Sequence, residues 1–338
     1  MTATAASTTT KHLTVLDGWR GISILLVLAC HLLPLGPKSL DLNSMAGPMG
    51  MALFFTLSGF LITRFLLTHS SISDFLIRRF LRIIPLAWIA VALALWMGSL
   101  PIESYLPNFL FYANLPPQHV PLVAGHLWSL GVEMQFYVGI ALLVGIFGKR
   151  GLYLVLPLCL AVTIHRVFAG AYTDIVTWRR ADKILAGSVL ALAFEGKFGP
   201  RPTRCIKSLN AYVLLLLLAA CSHPAGGFMN YLRPYVAALL VGTTLFSAPA
   251  RLDRVLKSRF LAYVATISFA LYIIHPFLTH TWLFTGDKLV KYAKRPLLFA
   301  ATFALAHIST FHYEERWIAL AKRLTRSRQA LRVAKTAA

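Results

Sequence analysis

Leu16-Asp17-Gly18-Trp19-Arg20-Gly21-Ile22-Ser23-Ile24-Leu25-Leu26-Val27-Leu28-Ala29-Cys30-His31-Leu32 reads as a membrane helix with ionisable residues inside it: Arg20 opens an apolar run that His31 interrupts eleven residues later. Eleven residues of α-helix advance about 1,100°, ~20° from three full turns, and ~16 Å along the axis. Arg20 and His31 therefore share a face. Ionisable side chains are costly in hydrocarbon and turn toward a protein interior or a water-filled cavity, so the pair marks this helix as functional. Taken singly, each has a plainer reading: an arginine snorkelling to the headgroups, and a histidine satisfied by a neighbouring helix.

Outward from this helix, the chain of 338 residues is 57% hydrophobic and 13% charged, with a mean hydropathy of +0.67. That is too much apolar surface for one soluble core. The predicted fold is all-α, a polytopic transmembrane helical bundle with ten candidate spans at 19–35, 46–67, 82–100, 126–147, 151–168, 181–195, 209–223, 232–249, 260–284 and 296–318, each near the ~20 residues needed to cross. Met1–Thr10 is polar where a signal peptide would be apolar, so the first span is the expected anchor. Three segments follow: a disordered cytoplasmic N-terminus (1–13), one membrane domain (14–320) and a basic cytoplasmic tail (321–338).

The net charge of +21 sits at span ends, with most Lys and Arg on the N-terminal side, and no dense stripe of the kind that binds nucleic acid. The positive-inside rule places both termini in the cytoplasm. The basic loops and the tail Lys322–Lys335 are expected to meet anionic lipid. Four cysteines show no CxxC spacing and read as small buried side chains. His12, His69, His119, His165, His223, His280, His307 and His312 show no metal-site spacing, so no metal is expected. No GxxxxGK[ST] or GxGxxG loop occurs, which argues against a glycine-rich phosphate cradle.

Five blocks in order resemble acyltransferase family 3, integral-membrane enzymes that acylate bacterial surface sugars and some secondary metabolites. They are Leu16–Gly21 with His31, Gly50–Thr63, Arg78–Leu86, His126–Tyr137 and Ser268–Pro276; residues 150–258 are supported by hydropathy alone. The resemblance implies about ten spans in a bacterial cytoplasmic membrane, acyl-coenzyme A as donor with acetyl the usual cargo, no tightly bound cofactor, and a carbohydrate or lipid-linked sugar as acceptor. Two departures stand out. Many members carry adjacent glutamates where this chain has Glu133-Met134. Larger members append an esterase-like domain; this chain ends soon after its last span, so its transfer is expected to finish within the membrane domain or on an acceptor presented to it.

Acyl transfer to a hydroxyl needs a base, a donor site and stabilisation of the oxyanion. His31 is the expected general base, with an acyl-histidine as a variant. Glu133 is read as fixing its tautomer or as an ion-pair partner of an arginine. Arg20 and the cytoplasmic Arg78, Arg79 and Arg82 suit the coenzyme's phosphates, the Arg79-x-x-Arg82 spacing being a family feature as well as ordinary positive-inside charge. Asp17, Trp128, Tyr137, Tyr272 and His275 are expected around the acceptor, although interface belts also explain aromatic residues. Ser58-Gly59 reads as helix packing. The competing function is a transporter or flippase using Arg20, His31 and Glu133 as a substrate or proton pathway, against which no matched halves are visible.

Overall fold

Apolar runs broken by Pro, Gly and Asn give helices of very unequal length. The computed structural model describes residues 13–69 and 71–337, so the segment read as a disordered N-terminus lies almost wholly outside it. Among the described residues there is no strand. The α-helices are α1 (Thr14–Leu32), α2 (Leu42–Thr68), α3 (Ile72–Gly98), α4 (Tyr105–Phe109), α5 (Trp128–Phe147), α6 (Val155–Phe168), α7 (Asp182–Phe194), α8 (Pro200–Ser208), α9 (Ala211–Ala220), α10 (Arg233–Ser247), α11 (Ala250–Leu256), α12 (Arg259–Thr266), α13 (Ser268–Thr279), α14 (Lys288–Ile308) and α15 (Glu315–Ala337). A π turn, Ser309–Glu314, joins the last two.

Four helical stretches are long and apolar enough to cross a membrane, or up to seven if each bent pair is one span. One of them, Leu122–Phe168, runs 47 residues through α5 and α6 and contains two of the candidate spans. Ten separate spans are more than length and apolarity alone give. The second half of the chain is bent instead: α8 meets α9 at 84°, the stretch ending in α10 meets α11 at 102°, and α12 meets α13 at 69°. Polar caps restart helices after turns. Asn210 Oδ1 accepts from the Tyr212 amide at 2.9 Å, Ser258 Oγ from Leu261 at 3.3 Å and Asp287 Oδ1 from Val290 at 2.8 Å, supplying acceptors that a helix start otherwise lacks.

α1 and α2 form the centre. α1 packs against α2, α12 and α13, and α2 against α7. The α2–α7 approach is so close that a Cβ on Gly59 would lie 1.8 Å from the Ile184 carbonyl oxygen, and one on Gly187 2.0 Å from that of Thr56. Backbones meet there because neither residue has a side chain. Trp19 is buried on α1 and donates its indole N–H to Thr244 Oγ1 at 2.8 Å, tying α1 to α10. An adjoining face of α1, with Arg20, Ile24, Val27 and His31, lines the cavities described next.

Candidate active site

The α1 periodicity carries Arg20, Ser23, Ile24 and Val27 along one wall of an open cavity of about 730 Å³. α3 adds Arg79 and Arg82, and α5 adds Glu133 and Tyr137. One turn beyond Val27, His31 lines a second cavity of about 580 Å³ with His126, His275 and His280. Tyr272 stands at the boundary: it lines the first cavity while its ring centroid lies 5.0 Å from that of His126 and 6.1 Å from that of His275. The face shared by Arg20 and His31 thus lines an arginine-rich chamber at one end and a histidine-rich one at the other.

The histidine chamber has a defined proton order. His275 Nδ1 lies 3.0 Å from the Leu271 carbonyl oxygen, and His275 Nε2 lies 3.1 Å from His31 Nδ1. A carbonyl only accepts, so in the neutral ring His275 Nδ1 carries the hydrogen and Nε2 the lone pair. His31 must then donate from Nδ1, leaving Nε2 as its lone-pair nitrogen. The rings stack at 5.2 Å between centroids. His275 is buried, whereas His31 keeps its ring accessible. Beside them both ring nitrogens of His126 are buried, next to the Ile273 backbone.

In the arginine chamber, Glu133 Oε1 accepts from both Ser58 Oγ and the Tyr137 hydroxyl. Its carboxylate interacts electrostatically with Arg20 and Arg82. Glu133 thus lies among the arginines, and the side-chain hydrogen bond of His31 is made with His275. Arg79 lies over the Tyr137 ring at 5.7 Å, so Tyr137 belongs with the arginines and not with the histidine end. Arg78 separates from its neighbours: its Nε donates to Thr325 Oγ1 of α15 at 3.2 Å. Asp17 lies one turn before Arg20 and interacts with it electrostatically. The face of Trp128 is covered by the Arg180 guanidinium at 4.9 Å. Tyr272 donates to the His126 carbonyl and shares a 2.6 Å hydrogen bond with Ser129 Oγ.

Sequence reading missed three things here. Ser58 was assigned to packing, which describes only Gly59. Sequence gives His126 no role, although it begins the His126–Tyr137 stretch. The buried charges Arg166, Arg180, Asp182, Lys183 and Arg233 went unassigned, although ionisable residues in apolar spans are themselves a signal.

The sequence matches an acyltransferase domain family across residues 13–311, and the chain belongs to that family, acyltransferase family 3. It is 24% identical to peptidoglycan O-acetyltransferase OatA of Listeria monocytogenes, over 88% of this chain and 54% of that protein. It is 25% identical to the putative peptidoglycan O-acetyltransferase YrhL of Bacillus subtilis, over 78% of this chain and 48% of that protein. A putative O-acetyltransferase of Staphylococcus aureus strain COL is likewise 25% identical, over 78% and 50%. The chain spans about half the length of these curated relatives. No solved structure matches it.

Proposed function

We propose that this chain is a membrane O-acyltransferase that moves an acetyl group from acetyl-coenzyme A to a hydroxyl of a cell-wall-type glycan, with His31 as general base. The observation that carries the reading is the order Leu271 carbonyl, His275, His31, which leaves His31 Nε2 basic in an accessible ring. The acceptor class rests on the names of the relatives, the donor on the family's usual chemistry.

In this mechanism Arg20, Arg79 and Arg82 bind the coenzyme's phosphates through forked, charge-assisted hydrogen bonds, while its long arm reaches past Tyr272 toward His31. The acceptor oxygen attacks the thioester carbonyl as His31 Nε2 takes its proton. The tetrahedral oxyanion collapses, the C–S bond breaks, and the imidazolium returns the proton to the departing thiolate. His275 holds His31 in the reactive tautomer, a positioning role in place of the acceptor contact expected from sequence. Glu133 balances the arginines and is itself fixed by Ser58 and Tyr137. With cytoplasmic termini, the donor enters beside Arg20, and His31, ~16 Å further along the helix, meets the acceptor at the other end.

The test is transfer of radiolabelled acetate from acetyl-coenzyme A to soluble glycan fragments by purified protein in nanodiscs. Ester formed by wild type and lost in His31→Gln supports the reading. Undiminished transfer by the variant overturns it.

A further inference from the structure

Four cations and one carboxylate are buried together where α6, α7 and α10 meet: Arg166 (0% exposed), Arg180 (5%), Lys183 (1%), Arg233 (0%) and Asp182 (0%). They interact electrostatically with one another. Asp182 is fully used, one oxygen accepting from Arg166 and the other from Lys183 Nζ at 3.0 Å. Arg233 donates to the Cys221 carbonyl at 2.8 Å and to Asn230 Oδ1. The neighbouring Arg179 pairs with Asp174 at 3.0 Å. Beyond its backbone amide, which donates to the Thr177 carbonyl, Arg180 leaves its buried side-chain Nε and Nη1 without a hydrogen-bond partner, and its guanidinium sits over the Trp128 ring at 4.9 Å. Asp182 and Asp174 offset part of its charge through space, but buried donors without hydrogen-bond partners remain costly, and an anion that reaches them offsets that cost.

The cluster's place narrows which anion. It lies at the His31 end of α1 and not at the Arg20 end. His223 Nε2, in the turn leading to α10, hydrogen-bonds the Leu40 carbonyl in the loop that follows α1. Trp128 begins α5 directly after the His126–Leu127 turn, and its neighbour Ser129 bonds Tyr272 at the boundary of the two chambers. The donor's phosphates are assigned to arginines at the far end.

We infer that Arg180, held over the Trp128 ring within a buried surplus of positive charge, receives an anionic group, carboxylate or phosphate, carried by the acceptor sugar. This deepens the proposed acyltransferase reading and rests on it for the word acceptor. Trp128 supplies a platform and leaves the guanidinium fork to the anion. Arg166, Lys183 and Arg233 supply positive potential without needing to touch it. The site therefore sets specificity: neutral glycans lack the group that Arg180 lacks a partner for.

Binding is tested by ligand-induced thermal stabilisation of the nanodisc protein, using two matched pairs. One is a muramyl disaccharide and its carboxamide; the other is N-acetylglucosamine 1-phosphate and N-acetylglucosamine. A lost charged hydrogen bond corresponds to roughly tenfold to a hundredfold in affinity, so wild type should prefer one anionic member by that factor, and the favoured pair tells carboxylate from phosphate. In Arg180→Gln the preference should fall to about one; Arg180→Lys should keep part of it. Wild type without preference for either anion overturns the inference, even if the variants fail to fold. So does an unchanged preference in Arg180→Gln. His31→Gln should retain the preference while losing transfer. Anion-selective binding in a protein that acylates no sugar would sink the acyltransferase reading and leave the site standing.

Discussion

His31 Nδ1 and His275 Nε2 lie 3.1 Å apart across 244 residues of sequence, and because the Nδ1 hydrogen of neutral His275 goes to the Leu271 carbonyl, Nε2 can only accept and the pair is directional. In the proposed mechanism the buried ring orients and the accessible ring reacts. In hydrolase triads a carboxylate holds the histidine; on this proposal a neutral imidazole anchored to a helix carbonyl takes that place.

Replacing the anchor should therefore slow the chemistry more than it weakens binding. His275→Ala is expected to lower kcat by roughly 10²-fold or more, within the range of a misplaced general base, with KM for donor and acceptor within a few-fold of wild type. His275→Gln, which can still accept from His31, should recover part of kcat. Steady-state kinetics decide: a rise in KM at constant kcat returns His275 to the acceptor-binding role read from sequence.

Arg78 and Arg82, one turn apart on α3, should not behave alike. Arg82→Ala and Arg20→Ala should each weaken acetyl-coenzyme A binding about tenfold to a hundredfold, because both face the 730 Å³ cavity. Arg78→Ala, whose side chain donates to Thr325 on α15, should leave that affinity within about twofold, less than the loss of one charged hydrogen bond. Calorimetric titration of coenzyme A against the variants measures this. Equal losses at Arg78 and Arg82 would mean that the coenzyme binds outside the cavity.

Helix contact at Gly59 should be intolerant of a single methyl group. With a Cβ placed 1.8 Å from the Ile184 carbonyl oxygen, Gly59→Ala must push α2 from α7 and should cost at least the ~1–3 kcal/mol of an overpacked core. A lowered Tm in nanodiscs is the expected result, and a wild-type Tm would show that the helices are further apart than described.

Legibility in the sequence follows the distance over which each relation acts. The Arg20–His31 face was readable because it lies within one helix, whereas the Glu133–Tyr137 hydrogen bond, although one turn apart on α5, was not read. The pairing of Arg79 with Arg82 in a cavity, and the exclusion of Arg78, depend on where α15 returns to α3. The His31–His275 bond closes two distant helices, and neither local spacing nor hydropathy encodes it. Ser58 shows the same limit: beside Gly59 it looks like packing, and only α5 brings it a carboxylate. Hydropathy located the apolar segments but not the bends of 69° to 102° in the second half, because the breaks at Leu209-Asn210, Ala248-Pro249 and Ile267 are only one or two residues long.

The depth of His31 is open to chemical labelling. Cysteine at position 31, in a background without Cys30, Cys159, Cys205 and Cys221, should react with an impermeant thiol reagent from the side opposite the termini, since the ring lines an open chamber ~16 Å beyond Arg20 along an ideal helix. Labelling only from the side of the termini would place donor and acceptor on one face of the membrane.

Single-turnover transfer by His31→Gln bears most directly on the base. Purified wild type and variant, matched in Tm and in coenzyme A affinity, are mixed with radiolabelled acetyl-coenzyme A and glycan fragments, and ester is counted against time. The expected result is a loss of roughly 10²–10⁴-fold in the transfer rate, the usual contribution of a general base, with donor binding intact. Ester formed by His31→Gln at the wild-type rate would show that the proton leaves by another route and that the His31–His275 pair serves the fold alone.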